Sequence, residues 1–228
     1  MLRAASSDDA AARPALAELC QLYWYPLYAY LRRQGLAPND AEDIVQAFFA
    51  RLLEDRILRY AEPGRGRFRG FLLASLRQFV IGRHQYETAA KRRPATALES
   101  LENGEGELRY SRELTDHVTP DLLFDYTWAM SLLTHAMELL EAENQEKGQS
   151  ERFAAFRGVL TGQSDRSARE LGAEIGMTEG AVRVAIFRLK QRYGEILREQ
   201  VALTLDNDAD VDDEIRVLMA ALRMDRAS

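Results

Sequence analysis

The sequence predicts an all-α chain of two helical domains, and three observations carry that prediction. Apolar residues recur at spacings of three and four through most of the chain. No stretch of useful length alternates apolar and polar residues as a half-buried strand would. The charge, finally, is divided into blocks behind a formal total of −6. Residues 1–93 carry 15 Lys/Arg against 10 Asp/Glu and residues 94–150 carry 3 against 12. Residues 151–200 carry 9 against 7, and residues 201–228 carry 3 against 7. Two basic modules thus alternate with two acidic segments, the profile of a bipartite nucleic-acid binder with acidic connections.

Composition narrows the function classes. A length of 228 residues suits one large or two small domains with real cores. Cys20, the single cysteine, can close no internal disulfide, and no cysteine–histidine cluster suggests zinc. His84, His117 and His135 lack ligand-like spacing, and neither a phosphate loop nor a nucleophile elbow occurs. The expectation is a binding protein with no catalytic residue, metal or cofactor. The N-terminus shows no charged-then-apolar leader and no apolar run reaches spanning length, which predicts a cytoplasmic protein with no membrane partner.

The elements follow in order. Residues 1–14 are small and polar, and a loose end is expected there. Leu16, Leu19, Cys20, Tyr23, Leu27, Tyr30 and Leu31 form a helical stripe that Pro26 should kink or break, and Gly35 closes it. Asn39 with Glu42 three residues on resembles a capping box. It opens a helix with Ile44, Val45, Phe48, Phe49, Leu52 and Leu53 on its apolar face. After a loop with Pro63-Gly64, Phe68, Phe71, Leu72, Leu76, Phe79 and Val80 mark a third helix. Residues 62–93 carry 8 Lys/Arg against 2 Glu, with Tyr86 and His84 interleaved, which suits unpaired DNA whose bases stack and whose phosphates need cations. Residues 96–119, with Asn103, Gly104 and Gly106, read as an acidic linker. Pro120 opens a helix through Leu122, Leu123, Trp128, Leu132, Leu133, Met137, Leu139 and Leu140, and Glu151 to Leu160 makes a shorter one. The tail, 206–228, holds Val211, Ile215, Leu218, Met219 and Leu222 at helical spacing behind Asp212, Asp213 and Glu214, a good N-terminal turn.

The stretch from Ser167 to Tyr193 organises the second module. Leu171 and Ile175 share a face on a short helix, Gly172 beside them permits close approach, and Gly176 supplies the left-handed residue of a tight turn. Thr178 can cap a second helix, in which Val182, Ile186, Leu189 and Tyr193 face inward. Arg183, Phe187 and Lys190 then point away, with Arg188 and Arg192 on the flank. These are the parts of a DNA-reading helix-turn-helix.

With both halves read, the chain resembles the sigma-70 family of bacterial transcription initiation factors, in its compact extracytoplasmic-function class. YWYPLYAYL at 23–31, DAEDIVQAFF at 40–49 and FRGFLLASLRQ at 68–78 look like sigma region 2. ELGAEIGMTEGAVR at 170–183 looks like sigma region 4. The resemblance implies domains at 15–95 and 120–205, joined by the linker and followed by a C-terminal extension. It implies that Asp40, Asp43 and Gln46 meet the β′ clamp helices of RNA polymerase core. The loop at roughly 56–67, with Arg65 and Arg67, corresponds to the one that captures a flipped −10 base, and Arg69, Arg77, Gln78 and Arg83 belong with melted −10 DNA. The helix from Thr178, with Arg183, Val184, Phe187, Arg188 and Lys190, would read the −35 element of promoter DNA. The implied partners are polymerase core (β′ clamp helices and β flap), promoter DNA, and an anti-sigma factor or the C-terminal extension as regulator, with a monomer when free. Ala47 stands where the family often carries an acid, and Val184-Ala185 where it often carries serine and arginine, so the family's −35 preference does not transfer. A stand-alone helix-turn-helix regulator is the alternative. It would need two-fold symmetry and a dimer surface, for which the sequence supplies no obvious candidate.

Overall fold

The computed structural model describes residues 9–54, 68–90, 104–113, 118–205 and 210–223. Regular structure among them is helical throughout, in the order α1 (Asp9–Arg33), α2 (Pro38–Glu54), α3 (Phe68–Ala90), α4 (Gly104–Glu113), α5 (Pro120–Glu146), α6 (Ser150–Leu160), α7 (Ala168–Ile175), α8 (Glu179–Leu203) and α9 (Val211–Arg223). None of these helices is long and apolar enough to cross a membrane. The chain groups into two compact units: described residues up to 131 together with those from 201 onward, and residues 132–200. The division therefore falls inside α5 rather than ahead of Pro120, and α9 belongs with the front of the chain.

The first unit is built around α1. Between Tyr23 and Leu31 every residue but Trp24 is buried, so this stretch has no solvent side. That explains why α1 runs unbroken through Pro26, where the sequence suggests a kink or a break. Packing on all sides outweighs the one backbone hydrogen bond a mid-helix proline removes. The helix also starts at Asp9, inside the stretch expected to be a loose end, where an acid precedes three alanines. Tyr23 meets Phe68 of α3 edge-on at 5.6 Å between ring centroids, and Tyr30 meets Phe124 of α5 at 6.5 Å. From α2 the unit buries Val45, Phe48, Phe49 and Leu52. That helix starts with Pro38 in its first turn, so Asn39 lies inside the helix and not at its cap.

Residues 104–113 are a docked helix rather than linker. The Arg32 guanidinium grips the Glu107 carboxylate with two parallel bonds of 2.8 Å, and the Tyr28 hydroxyl donates to the same carboxylate at 2.6 Å. Tyr110 is buried, and Arg109 lies 3.7 Å from the centre of the Tyr25 ring. Arg33 Nε donates to the Val118 carbonyl at 2.7 Å, which fixes the entry to α5. The period here is short and the segment acidic, so a composition-based reading sees only a tether. Its partners lie about 75 residues upstream.

The amphipathic tail is a helix, but its inward face differs from the simple stripe. Val211, Glu214, Leu218 and Ala221 are buried, whereas Met219 is exposed. A carboxylate goes inside because a cation waits for it. Glu214 Oε1 lies 2.8 Å from Nε of Arg69, whose Nη1 donates to Asp125 at 2.6 Å and whose guanidinium sits 5.0 Å from the Trp128 ring centre. Burial and the Glu214 carboxylate hold the adjacent Tyr23 phenol well above its ordinary pKa.

Two stability predictions follow from these pairs. Replacing Glu214 by Ala leaves a buried guanidinium whose one remaining carboxylate partner among the described residues is Asp125, and should cost about 3 kcal/mol in urea unfolding. Truncation after Leu205 removes the apolar face of α9 as well and should lower the melting temperature further. An unchanged midpoint in both variants would refute the docking of α9. The second concerns acid. Arg32, first among its neighbours, holds the Glu107 carboxyl below its ordinary 4.5. A depressed folded-state pKa adds stability that is complete above the unfolded value and is lost as pH falls through the folded one. The stability gap between the native chain and Glu107→Gln should thus be constant above about pH 5 and shrink below 4.5. A gap independent of pH from 7 to 3 would contradict the ion pair.

Candidate nucleic-acid interface

The second unit frames a helix-turn-helix made of α7, a three-residue turn and α8. Ser167 caps α7: its Oγ accepts from the Glu170 N–H at 3.2 Å, while the Glu170 carboxylate accepts from the Ser167 N–H at 2.8 Å. This reciprocal box is written in the sequence as Ser-x-x-Glu, a signal passed over above. It also holds the Glu170 carboxyl below its ordinary pKa. At the other end Gly176 adopts φ 68°, the left-handed cap, and the Gly172 carbonyl accepts from Met177 N–H at 2.8 Å. Thr178 then opens α8 by accepting from the Ala181 N–H at 3.3 Å.

Gly172 is confined for a reason more specific than close helix approach. A Cβ there would stand 2.4 Å from the Met177 carbonyl oxygen and 3.5 Å from Val182 Cγ2. The turn itself crosses over the glycine. Beneath it Phe156, Leu171 and Val182 form a buried cluster flanked by Ile175, Met177, Ile186 and Leu189. A second cluster, Ala136, Met137, Leu140, Phe153 and Ile196, takes Tyr193 and Leu197 from α8. Polar ties lock α8 on α5. Arg192 grips Glu143 with its closest contact at 2.6 Å and also meets Glu195 and Glu199, and the Tyr193 hydroxyl donates to the Leu133 carbonyl at 3.0 Å. Arg192 is therefore structural, a role its flank position did not reveal.

With the inward face so committed, the outward residues of α8 are Arg183, Val184, Phe187, Arg188 and Lys190, all exposed. Phe187 shows 60 % of its surface and Val184 49 %. Arg183 is ion-paired one turn back to Glu179, while Arg188 and Lys190 have no ion pair among the described residues. The structure thus brings the whole α8 set to one helix surface, with Thr178 at its start.

The residues assigned by resemblance to melted DNA are not brought together in that way. Arg65 and Arg67 lie outside the described residues. Arg69 is buried, committed to Asp125 and Glu214. Arg77 stays exposed yet donates to the Tyr30 hydroxyl at 2.8 Å and pairs with Asp121. Arg83 is half-buried, and Gln78 is exposed beside a hollow of about 440 Å³ lined by Phe48, Arg51, Phe71 and Phe79. Charge counting cannot separate cations that hold a fold from cations that await a partner. On α2, Asp40, Asp43 and Gln46 are all exposed, within about a third of the helix circumference. Glu42 beside them is buried, and burial first, then Asp43 and Glu107, push its carboxyl above the ordinary range. In the C-terminal extension, Glu214 meets Arg69 and Asp213 meets Arg216, both within the first unit. No cluster of His, Cys, Asp or Glu fit for a metal occurs among the described residues.

The turn generates its own prediction. Gly172→Ala should destabilise the second unit by about 1–3 kcal/mol, since backbone must move to admit the methyl. Gly176→Ala should cost about 1 kcal/mol through the left-handed backbone alone. Calorimetry that ranks the two the other way would contradict the crossing of the turn over Gly172. Comparison of the chain with protein-family models, with curated proteins and with solved structures finds no match.

Proposed function

We propose that the chain is a promoter-specificity subunit of bacterial RNA polymerase, a sigma-70-like protein of the extracytoplasmic-function class. The observation that carries the reading is the helix-turn-helix. A capped α7, a left-handed glycine turn and a rigidly anchored α8 present Arg183, Val184, Phe187, Arg188 and Lys190 outward. Guanidinium and ammonium groups on such a face suit phosphates and base edges of duplex DNA. The front unit adds a second support. Asp40, Asp43 and Gln46 remain exposed on α2, where the family's motif meets polymerase. In this reading the first unit holds polymerase core and the melted −10 strand, the second holds the −35 duplex, and initiation chemistry belongs to the core.

The test is run-off transcription with purified core polymerase on the DNA upstream of the chain's own gene. A discrete transcript that depends on the chain is expected, and Asp43→Arg should reduce it at least tenfold by placing like charge against a basic partner surface. Duplex binding with no core-dependent transcript would favour the stand-alone regulator. A transcript undiminished by Asp43→Arg would remove α2 from the docking surface.

A further inference from the structure

The outward face of α8 is not uniformly basic. Val184 and Phe187 are three residues apart, hence neighbours on the helix surface, and both are substantially exposed. One exposed apolar side chain is ordinary on any protein. Two adjacent ones in the second and third turns of this helix occupy the part of a helix-turn-helix that meets base edges. Gly180, one turn earlier, has nothing within 4 Å of where a Cβ would stand, so the helix start is open to close approach. The cations around the pair are differently disposed. Arg183 is tied to Glu179 and must leave that partner to reach a guanine. Arg188 and Lys190 are exposed and unpaired among the described residues, as phosphate contacts would be.

We propose that Val184 and Phe187 are the sequence-reading residues of α8, and that the duplex they select presents adjacent thymine methyl groups in the major groove. The proposal rests on the DNA-binding reading of α7 and α8. Its physical basis is that the C5-methyl of thymine is the apolar feature of the major-groove edges, where every other distinguishing group is a donor or acceptor. An aromatic ring beside two valine methyls gains by covering it and loses by covering a polar edge. Arg188 and Lys190 would then anchor the flanking phosphates and set affinity without sequence.

The experiment selects duplexes from a random library with the full chain, alone and in complex with core polymerase. The selected duplex is then remade with deoxyuridine for thymine, which removes only the methyl groups. Enriched thymine steps are expected, with affinity falling about fourfold per contacted methyl removed. Phe187→Ala, at an exposed position, should keep its helicity and its salt dependence while the deoxyuridine penalty shrinks, and combined with Val184→Ala the penalty should disappear. Lys190→Ala should keep the penalty while the salt slope falls by about one. A selected duplex that is bound equally well with deoxyuridine, or whose sequence preference is relaxed only by Arg183→Ala, would overturn the proposal while leaving DNA binding intact. Enrichment of no duplex under either condition would overturn the DNA-binding reading and this proposal with it.

Discussion

The constraint on which the first unit depends is that α1 has no solvent side. Tyr25 to Leu31 is buried without interruption, and Tyr28 and Tyr30 within it, with Arg32 and Arg33 just beyond, carry polar ends that need partners. Those partners come from far along the chain. The Tyr28 hydroxyl and Arg32 reach Glu107 of α4, Arg33 reaches the Val118 carbonyl, and the Tyr30 hydroxyl takes bonds from Gln34 and from Arg77 of α3. An acidic, weakly periodic segment is folded because its carboxylate completes a half-buried fork.

Charge in this protein does two different jobs. Around Arg69 it specifies which helix covers α3. A guanidinium lying against Trp128 and facing Asp125 and Glu214 accepts α9 in one register, with Glu214 inward and Met219 out. A buried pair of this kind contributes little net stability against an apolar replacement, yet breaking it is costly, so its effect is mainly on specificity of packing. Arg192, only partly buried, ties α8 to α5 through Glu143. Among the described residues, the cations left for a partner are fewer than the Lys/Arg count implies, and Arg188 and Lys190 on the outward side of α8 are among them.

The junction between α7 and α8 is held by closely placed local contacts. Ser167, Gly172, Gly176 and Thr178 each satisfy or permit a particular backbone contact at the junction, and Phe156 packs beneath them against Leu171 and Val182. The direction in which α8 presents Val184 and Phe187 is therefore set by packing behind it rather than by the groups it presents. Substitutions on the outward face can change the groups presented without changing how α8 is held.

By itself the sequence determined the local elements: helices at most of their positions, the helix-turn-helix with its glycine turn, and the split of α8 into inward and outward residues. These are properties of short range, governed by the 3.6-residue period and by the conformations glycine alone tolerates. Even the overlooked Ser167–Glu170 box was local enough to read. Only the tertiary structure decided that α1 passes unbroken through Pro26, that residues 104–113 dock, and that α9 joins the front unit. It also decided that Arg69 is an interior residue whereas Lys190 is not. The docking of 104–113, the placement of α9 and the burial of Arg69 each turn on whether a side chain finds a partner some 50 to 145 residues away. The cost of burying an unpaired polar group makes that partner decisive, and the sequence near either residue carries no record of it.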